Sequence, residues 1–107
     1  MEESIMKIMN IDEIWNNKRD NKYSWARMFY IYSHVFILKK TYNETLYKLI
    51  SYNQFYYLTY RSKYLMNNNH FFKFQYSRVL YDIIKKSYSI KFEYEKKRTK
   101  RTKNLVV

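Results

Sequence analysis

The stretch Tyr23–Leu38, Y-S-W-A-R-M-F-Y-I-Y-S-H-V-F-I-L, is the most apolar run in the chain, and its reading decides the fold class. Its β-branched and aromatic residues would suit a strand. Its 16 residues exceed the usual strand length of about 5–6, so length argues for a helix. The run is also shorter than the roughly 20 apolar residues of a membrane span, and it carries Arg27 and His34. A buried core helix over Tyr23–Lys40 is therefore expected, with Trp25, Met28/Phe29, Tyr32 and Val35/Phe36 on one side. Lys39 and Lys40 then stand at the negative end of the helix dipole, where cations are favoured.

On the N-terminal side, Ile5, Ile8, Met9, Ile11 and Trp15 fall near helical spacing, which predicts a helix over Ser4–Lys18 with Ser4 as its cap. Asn16-Asn17 and Asp20-Asn21 punctuate its end. On the C-terminal side, Thr41-Tyr42-Asn43-Glu44 fits a capping box. Leu46, Leu49/Ile50, Asn53, Tyr57, Tyr60 and Tyr64 follow at three- and four-residue steps, and Asn67-Asn68-Asn69 ends that helix. Phe72, Phe74 and Tyr76 alternate with Lys73 and Gln75, which reads as a short strand. Val79, Leu80, Ile83 and Ile84 form a helical stripe. Tyr88, Ile90, Phe92 and Tyr94 alternate again, with one continuing helix as the alternative.

The predicted fold class is mainly α. Residues 1–95 form a single small domain of three to four helices, with room for a short two-stranded element near its C-terminal end. Residues 96–107 form a basic tail, expected to be disordered when free because its like charges repel. The expected core is Ile8, Trp15, Trp25, Phe29, Tyr32, Phe36, Leu46, Ile50, Leu80 and Ile84.

Composition excludes more than it assigns. The chain has no Gly, no Pro and no Cys, and only one Ala. Tyr, Lys, Ile, Asn, Phe and Met dominate instead, all written with A/T-rich codons, so the gene has the stamp of an A/T-biased genome. Without glycine there is no P-loop and no dinucleotide fingerprint, and no nucleophile elbow. Without cysteine there is no disulfide, thiolate nucleophile or zinc finger. Two-residue hairpins lose their best turn residues, although Asn can still occupy the left-handed region.

The formal net charge is +12. Codon bias inflates Lys, so the distribution says more than the total. Residues 1–38 hold five basic and five acidic groups, whereas 39–107 hold sixteen and four. Uniform mutation pressure does not predict that split, and charge asymmetry between halves suggests a polyanion partner. Lys96, Lys97, Arg98, Lys100, Arg101 and Lys103 would contact phosphates, with Arg61, Lys63, Arg78, Lys85 and Lys86 extending the surface. Tyr52, Tyr56, Tyr57, Tyr60 and Tyr64 lie beside these cations. Such rings can stack on unpaired bases. For most of them, however, the expectation is a core role in place of leucine, with the hydroxyl at the edge.

No catalytic residue and no metal or cofactor site is expected. His34 reads as a core histidine and His70 as a loop one. Asp82 with Glu95-Lys96-Lys97 has the outline of a Mg²⁺ nuclease motif, but in so Lys-rich a chain the spacing establishes nothing. Size and basicity resemble those of small ribosomal or phage nucleic-acid-binding proteins, without a family motif. The expectation is a non-enzymatic nucleic-acid-binding protein, RNA preferred. A protein-interaction module and a protein peripheral to an anionic membrane are the rivals. Met1-Glu2-Glu3-Ser4 lacks the basic start of a secretion signal, so a cytoplasmic or organelle-internal location is expected.

Overall fold

A computed structural model describes residues 1–42 and 49–87. These form four helices and no strand. Helix α1 is Glu2–Met9. Helix α2 is Asn21–Tyr32, and it widens into a π-helical turn over Ser33–Ile37. Helix α3 is Tyr52–Asn68, and α4 covers 70–87. Among the described residues, no helix is long and apolar enough to cross a membrane.

The helix expected over Ser4–Lys18 ends at Met9. Asn10 takes a left-handed conformation, φ 55° and ψ 54°. Ile11 N–H then donates to Met6 O at 3.0 Å and Asn10 N–H to Lys7 O at 3.3 Å. This is a Schellman cap, normally built on glycine, with asparagine standing in. Ile11 is buried just beyond it. The π-helical end of α2 uses the same device less comfortably. Lys39 has φ 56°, and Lys40 N–H donates to His34 O at 2.8 Å. A left-handed non-glycine residue costs roughly 1–2 kcal/mol. Lys39→Gly is therefore expected to raise stability by about 1 kcal/mol, read as a higher urea midpoint at unchanged slope. An unchanged or lower midpoint would show that Lys39 carries no strain.

The segment between α1 and α2 is held from inside. The Arg27 side chain reaches from α2 and donates to Ile14 O at 2.9 Å, to Asn16 O at 2.6 Å and Oδ1 at 2.7 Å, and to Lys18 O at 2.9 Å. Ile11 and Ile14 are thereby turned into the core.

A capping box does start α3, but at Ser51. Gln54 N–H donates to Ser51 Oγ at 3.2 Å, and Ser51 N–H to Gln54 Oε1 at 3.3 Å. The box expected at Thr41 needs Glu44, which lies outside the described residues, as does the expected core residue Leu46. The Asn triplet ends α3 as expected. Asn69 then also starts α4, its Oδ1 accepting from Phe72 N–H at 3.0 Å, so one extended residue separates the two helices.

The strand expected at Phe72–Tyr76 is helical. Phe72 and Tyr76 stand one turn apart and are both buried, while Phe74 faces outward. The alternation F-x-F-x-Y thus has two readings, and burial follows the helical one. The second alternating run and the tail lie outside the described residues.

The core gathers around Phe29, which is fully buried. Its ring meets Phe72 at 4.7 Å and Tyr76 at 5.6 Å, and Trp25 meets Phe72 edge-on at 5.2 Å. Contacts advance along α2 and α4 together, so the two helices run in the same sense. Ser33 and Tyr76 share a buried hydrogen bond of 2.7 Å between hydroxyls. The small residues Ser4, Ala26, Ser33 and Ser62 are each at most 2% exposed.

Of the expected core residues that are described, only Phe29 is fully buried. Ile8, Trp15, Trp25, Tyr32, Phe36, Ile50 and Leu80 are half-buried, and Ile84 is 65% exposed. Ile5, Ile11, Ile14, Tyr23, Ala26, Met28, Ile31, Leu65, Phe72, Tyr76 and Val79 are the other buried apolar residues among those described.

His34 stacks on Tyr30 at 4.5 Å. Burial pushes its pKa below the usual histidine value, Lys40 adds to this, and Glu2 opposes it. A depressed folded pKa means that the unfolded chain takes up the proton first. Stability should accordingly be highest above about pH 6.5 and fall as pH drops toward 5. Denaturation of His34→Gln across that range should show a flatter profile. An equally steep profile would assign the loss to another group. His70, expected in a loop, is the exposed first residue of α4.

Candidate nucleic-acid interface

The tyrosines of α3 overturn the expectation of core placement. Tyr52, Tyr56, Tyr57, Tyr60 and Tyr64 are all exposed, from 48% to 67%. The buried side of α3 is formed by Leu58, Ser62, Leu65 and Met66. Tyr52, Tyr56, Tyr60 and Tyr64 recur every fourth residue, so they make one stripe along the outer side of the helix. Arg61 and Lys63 accompany it. The Arg61 guanidinium lies 5.3 Å from the Tyr64 ring, and Lys63 Nζ lies 5.8 Å from the Phe36 ring.

A second face lies on α4. Phe71, Phe74, Arg78, Tyr81 and Lys85 follow at steps of three and four and are all exposed. This face borders α1. Lys7, Ile8, Phe74, Ser77, Arg78, Tyr81, Asp82 and Lys85 line an open groove of about 460 Å³. Asp82 is buried at its edge, where its Oδ1 accepts from Lys7 Nζ at 3.1 Å and its Oδ2 lies 3.3 Å from Lys86 Nζ. The neighbouring Ser4 hydroxyl, then Lys7, hold its carboxyl down at about 2. Asp82 is thus a paired anion that clips α1 to α4. Among the described residues, no group of three His, Cys, Asp or Glu could hold a metal ion.

The expected phosphate contacts fall into four sets. Arg61 and Lys63 lie on α3. Arg78 and Lys85 line the α4 groove, where Arg78 also donates to Gln75 Oε1 at 3.1 Å. Lys86 is tied to Asp82. The tail residues Lys96, Lys97, Arg98, Lys100, Arg101 and Lys103 lie outside the described residues. No protein-family model, no curated protein and no solved structure matches the chain.

Sequence reading missed three contributors. Lys7 belongs to the electrically neutral first third of the chain, and only the fold brings it to the groove. Phe71 and Phe74 were hidden by the strand reading. The signal was present, because Phe71, Phe74, Arg78, Tyr81 and Lys85 keep helical spacing throughout.

A further cavity of about 380 Å³ lies between α2, α3 and the segment before α2. It is lined by Trp15, Asn16, Arg27, Gln54 and Tyr57, among others. Arg27 and Gln54 are engaged there in holding local structure.

Proposed function

We propose that this protein is a non-enzymatic binder of single-stranded nucleic acid, with RNA preferred to duplex DNA. The observation that carries the reading is the stripe of tyrosines along α3. Exposed rings are costly to leave in water, and large exposed aromatic surfaces mark interaction sites. Rings interleaved with cations suit unstacked bases joined by phosphates. Such bases occur in RNA loops and single strands and not inside a duplex. The basic tail would add phosphate contacts that carry no sequence preference.

The test is fluorescence anisotropy with a labelled dodecameric oligouridylate and a duplex of equal length, at several salt concentrations. The single strand should bind more tightly, and affinity should fall linearly on a log–log salt plot. Tyr56→Ala with Tyr60→Ala should weaken single-strand binding by at least tenfold, since each stacked base contributes about 1–3 kcal/mol. Deleting residues 96–107 should weaken binding to all sequences alike. Equal or tighter duplex binding would reject the stacking mechanism. The exposed Phe71, Phe74 and Ile84 also suit a protein partner, and absence of any affinity for RNA or DNA at low salt would favour that reading.

A further inference from the structure

The groove between α1 and α4 is distinct from the tyrosine stripe of α3, and its chemistry is more specific. We propose that it holds one nucleotide unit of the bound strand, with the base against Phe74 and Tyr81 and the phosphate against Arg78 and Lys85. This rests on the reading of the protein as a single-strand binder.

Three properties support that occupant. The first is charge. Lys7, Arg78 and Lys85 line the groove with a single carboxylate, Asp82. That carboxylate already faces Lys7 and Lys86, so the lining keeps an excess of positive charge and suits an anion. The second is the placement of the rings. Phe74 is 58% and Tyr81 68% exposed, and Arg78 sits between them, one turn from each. Aromatic and cationic groups on a single helical face match the alternation of base and phosphate along a strand. The third is shape. The groove is concave because α1 is clipped to α4 through Asp82, and about 460 Å³ lies within the range of small-ligand sites. An apolar peptide would bring no anion to Arg78 and Lys85. A phosphate alone would leave both rings in water.

The experiment uses the full chain in two arms. In the first, the dodecameric oligouridylate is titrated into wild type, Phe74→Ala, Tyr81→Ala, Arg78→Gln and Lys85→Gln. All four side chains are exposed, and a thermal melt of each variant confirms that the fold is retained. Each ring removal should weaken binding about tenfold. Each cation removal should make the log–log salt slope shallower by about 0.7. In the second arm, adenosine monophosphate is titrated at millimolar concentration into ¹⁵N-labelled protein, with inorganic phosphate as the comparison. The nucleotide should shift the backbone amides of Ser77, Arg78 and Tyr81 beyond what phosphate does.

If the strand binds wild type and all four variants alike and the nucleotide leaves these amides unmoved, the groove proposal is overturned while single-strand binding stands. If the nucleotide shifts these amides but the strand does not bind, the groove site stands and the strand-binding reading fails. If neither ligand binds, both are overturned. Equal shifts from phosphate and nucleotide would overturn the placement of a base in the groove.

Discussion

Phe29→Ala is expected to lower stability by about 3–5 kcal/mol, the range for deleting a fully buried aromatic ring. Phe29 has no exposed surface. It sits where α2 meets α4, in van der Waals reach of Phe72 and Tyr76. Neither neighbour can swing in to fill the space, because Phe72 also packs against Trp25 and the Tyr76 hydroxyl is tied to Ser33. The cavity therefore persists, and its cost adds to the lost transfer energy of the ring. A domain of this size has a stability of only about 5–15 kcal/mol, so the variant should be marginal at room temperature. Urea denaturation followed by far-UV circular dichroism measures the effect. Phe74→Ala is the internal control, since its ring is outside the core and its loss should change stability by less than about 0.5 kcal/mol. Similar effects at the two positions would mean that the α4 register is wrong by half a turn.

That register was the least legible part of the sequence. Over Phe72–Tyr76 the pattern F-x-F-x-Y satisfies a period of two, and it also places Phe72 and Tyr76 on one helical face. Five residues cannot separate the periods. The arbiter is tertiary, since α2 offers Trp25 and Phe29 to residues four apart on α4. The long helix at Tyr23 was readable because length alone excludes a strand. Its π-helical end was not, because nothing in S-H-V-F-I announces a wider turn.

The end of α1 was misread for a related reason. In a chain without glycine the usual stop signal is missing, and Asn10 carries it. Asparagine is so common here that Asn10 does not stand out from Asn16, Asn17 or Asn21. The capping box at Ser51-x-x-Gln54 was likewise overlooked beside the stronger-looking Thr41-x-x-Glu44. Codon bias also blurred the candidate site. Tyrosine is abundant both inside and outside, as Tyr23 and Tyr76 are buried while Tyr56 and Tyr60 are exposed. Composition cannot sort them; helical position on α3 does, once Leu58, Ser62 and Leu65 are seen to face α2. The cations of the second half were legible as charge. The Asp82–Lys86 pair is an i,i+4 contact within α4, whereas the arrival of Lys7 at the groove depends on how α1 packs.

Arg27→Met should be the most damaging change to a charged residue, costing about 3 kcal/mol. Methionine keeps most of the apolar stem and removes every donor, so the comparison isolates the hydrogen bonds from the packing. Hydrogen bonds to a charged donor contribute about 1.5–3 kcal/mol each, less when several share one group. Three carbonyl oxygens lose the guanidinium together, and Asn16 Oδ1 keeps only the Lys18 N–H; Ile14, which supplies one of the carbonyls, is 3% exposed. Burial already pushes the Arg27 pKa below its ordinary value, and among the described residues no carboxylate pairs with it; carbonyl and amide dipoles balance its charge. Lysine should not rescue. It presents one compact ammonium where Nε and Nη2 now reach acceptors spread from Ile14 to Lys18, so Arg27→Lys should still cost about 1–2 kcal/mol. Limited tryptic digestion under native conditions offers an independent readout, because Lys18 and Arg19 are exposed cleavage points in the segment that Arg27 restrains. Cutting there should be faster in both variants than in wild type, and faster in Arg27→Met than in Arg27→Lys. Cleavage at the wild-type rate in Arg27→Met would mean that the segment is held by Ile11 and Ile14 in the core, with the guanidinium contributing nothing to its order.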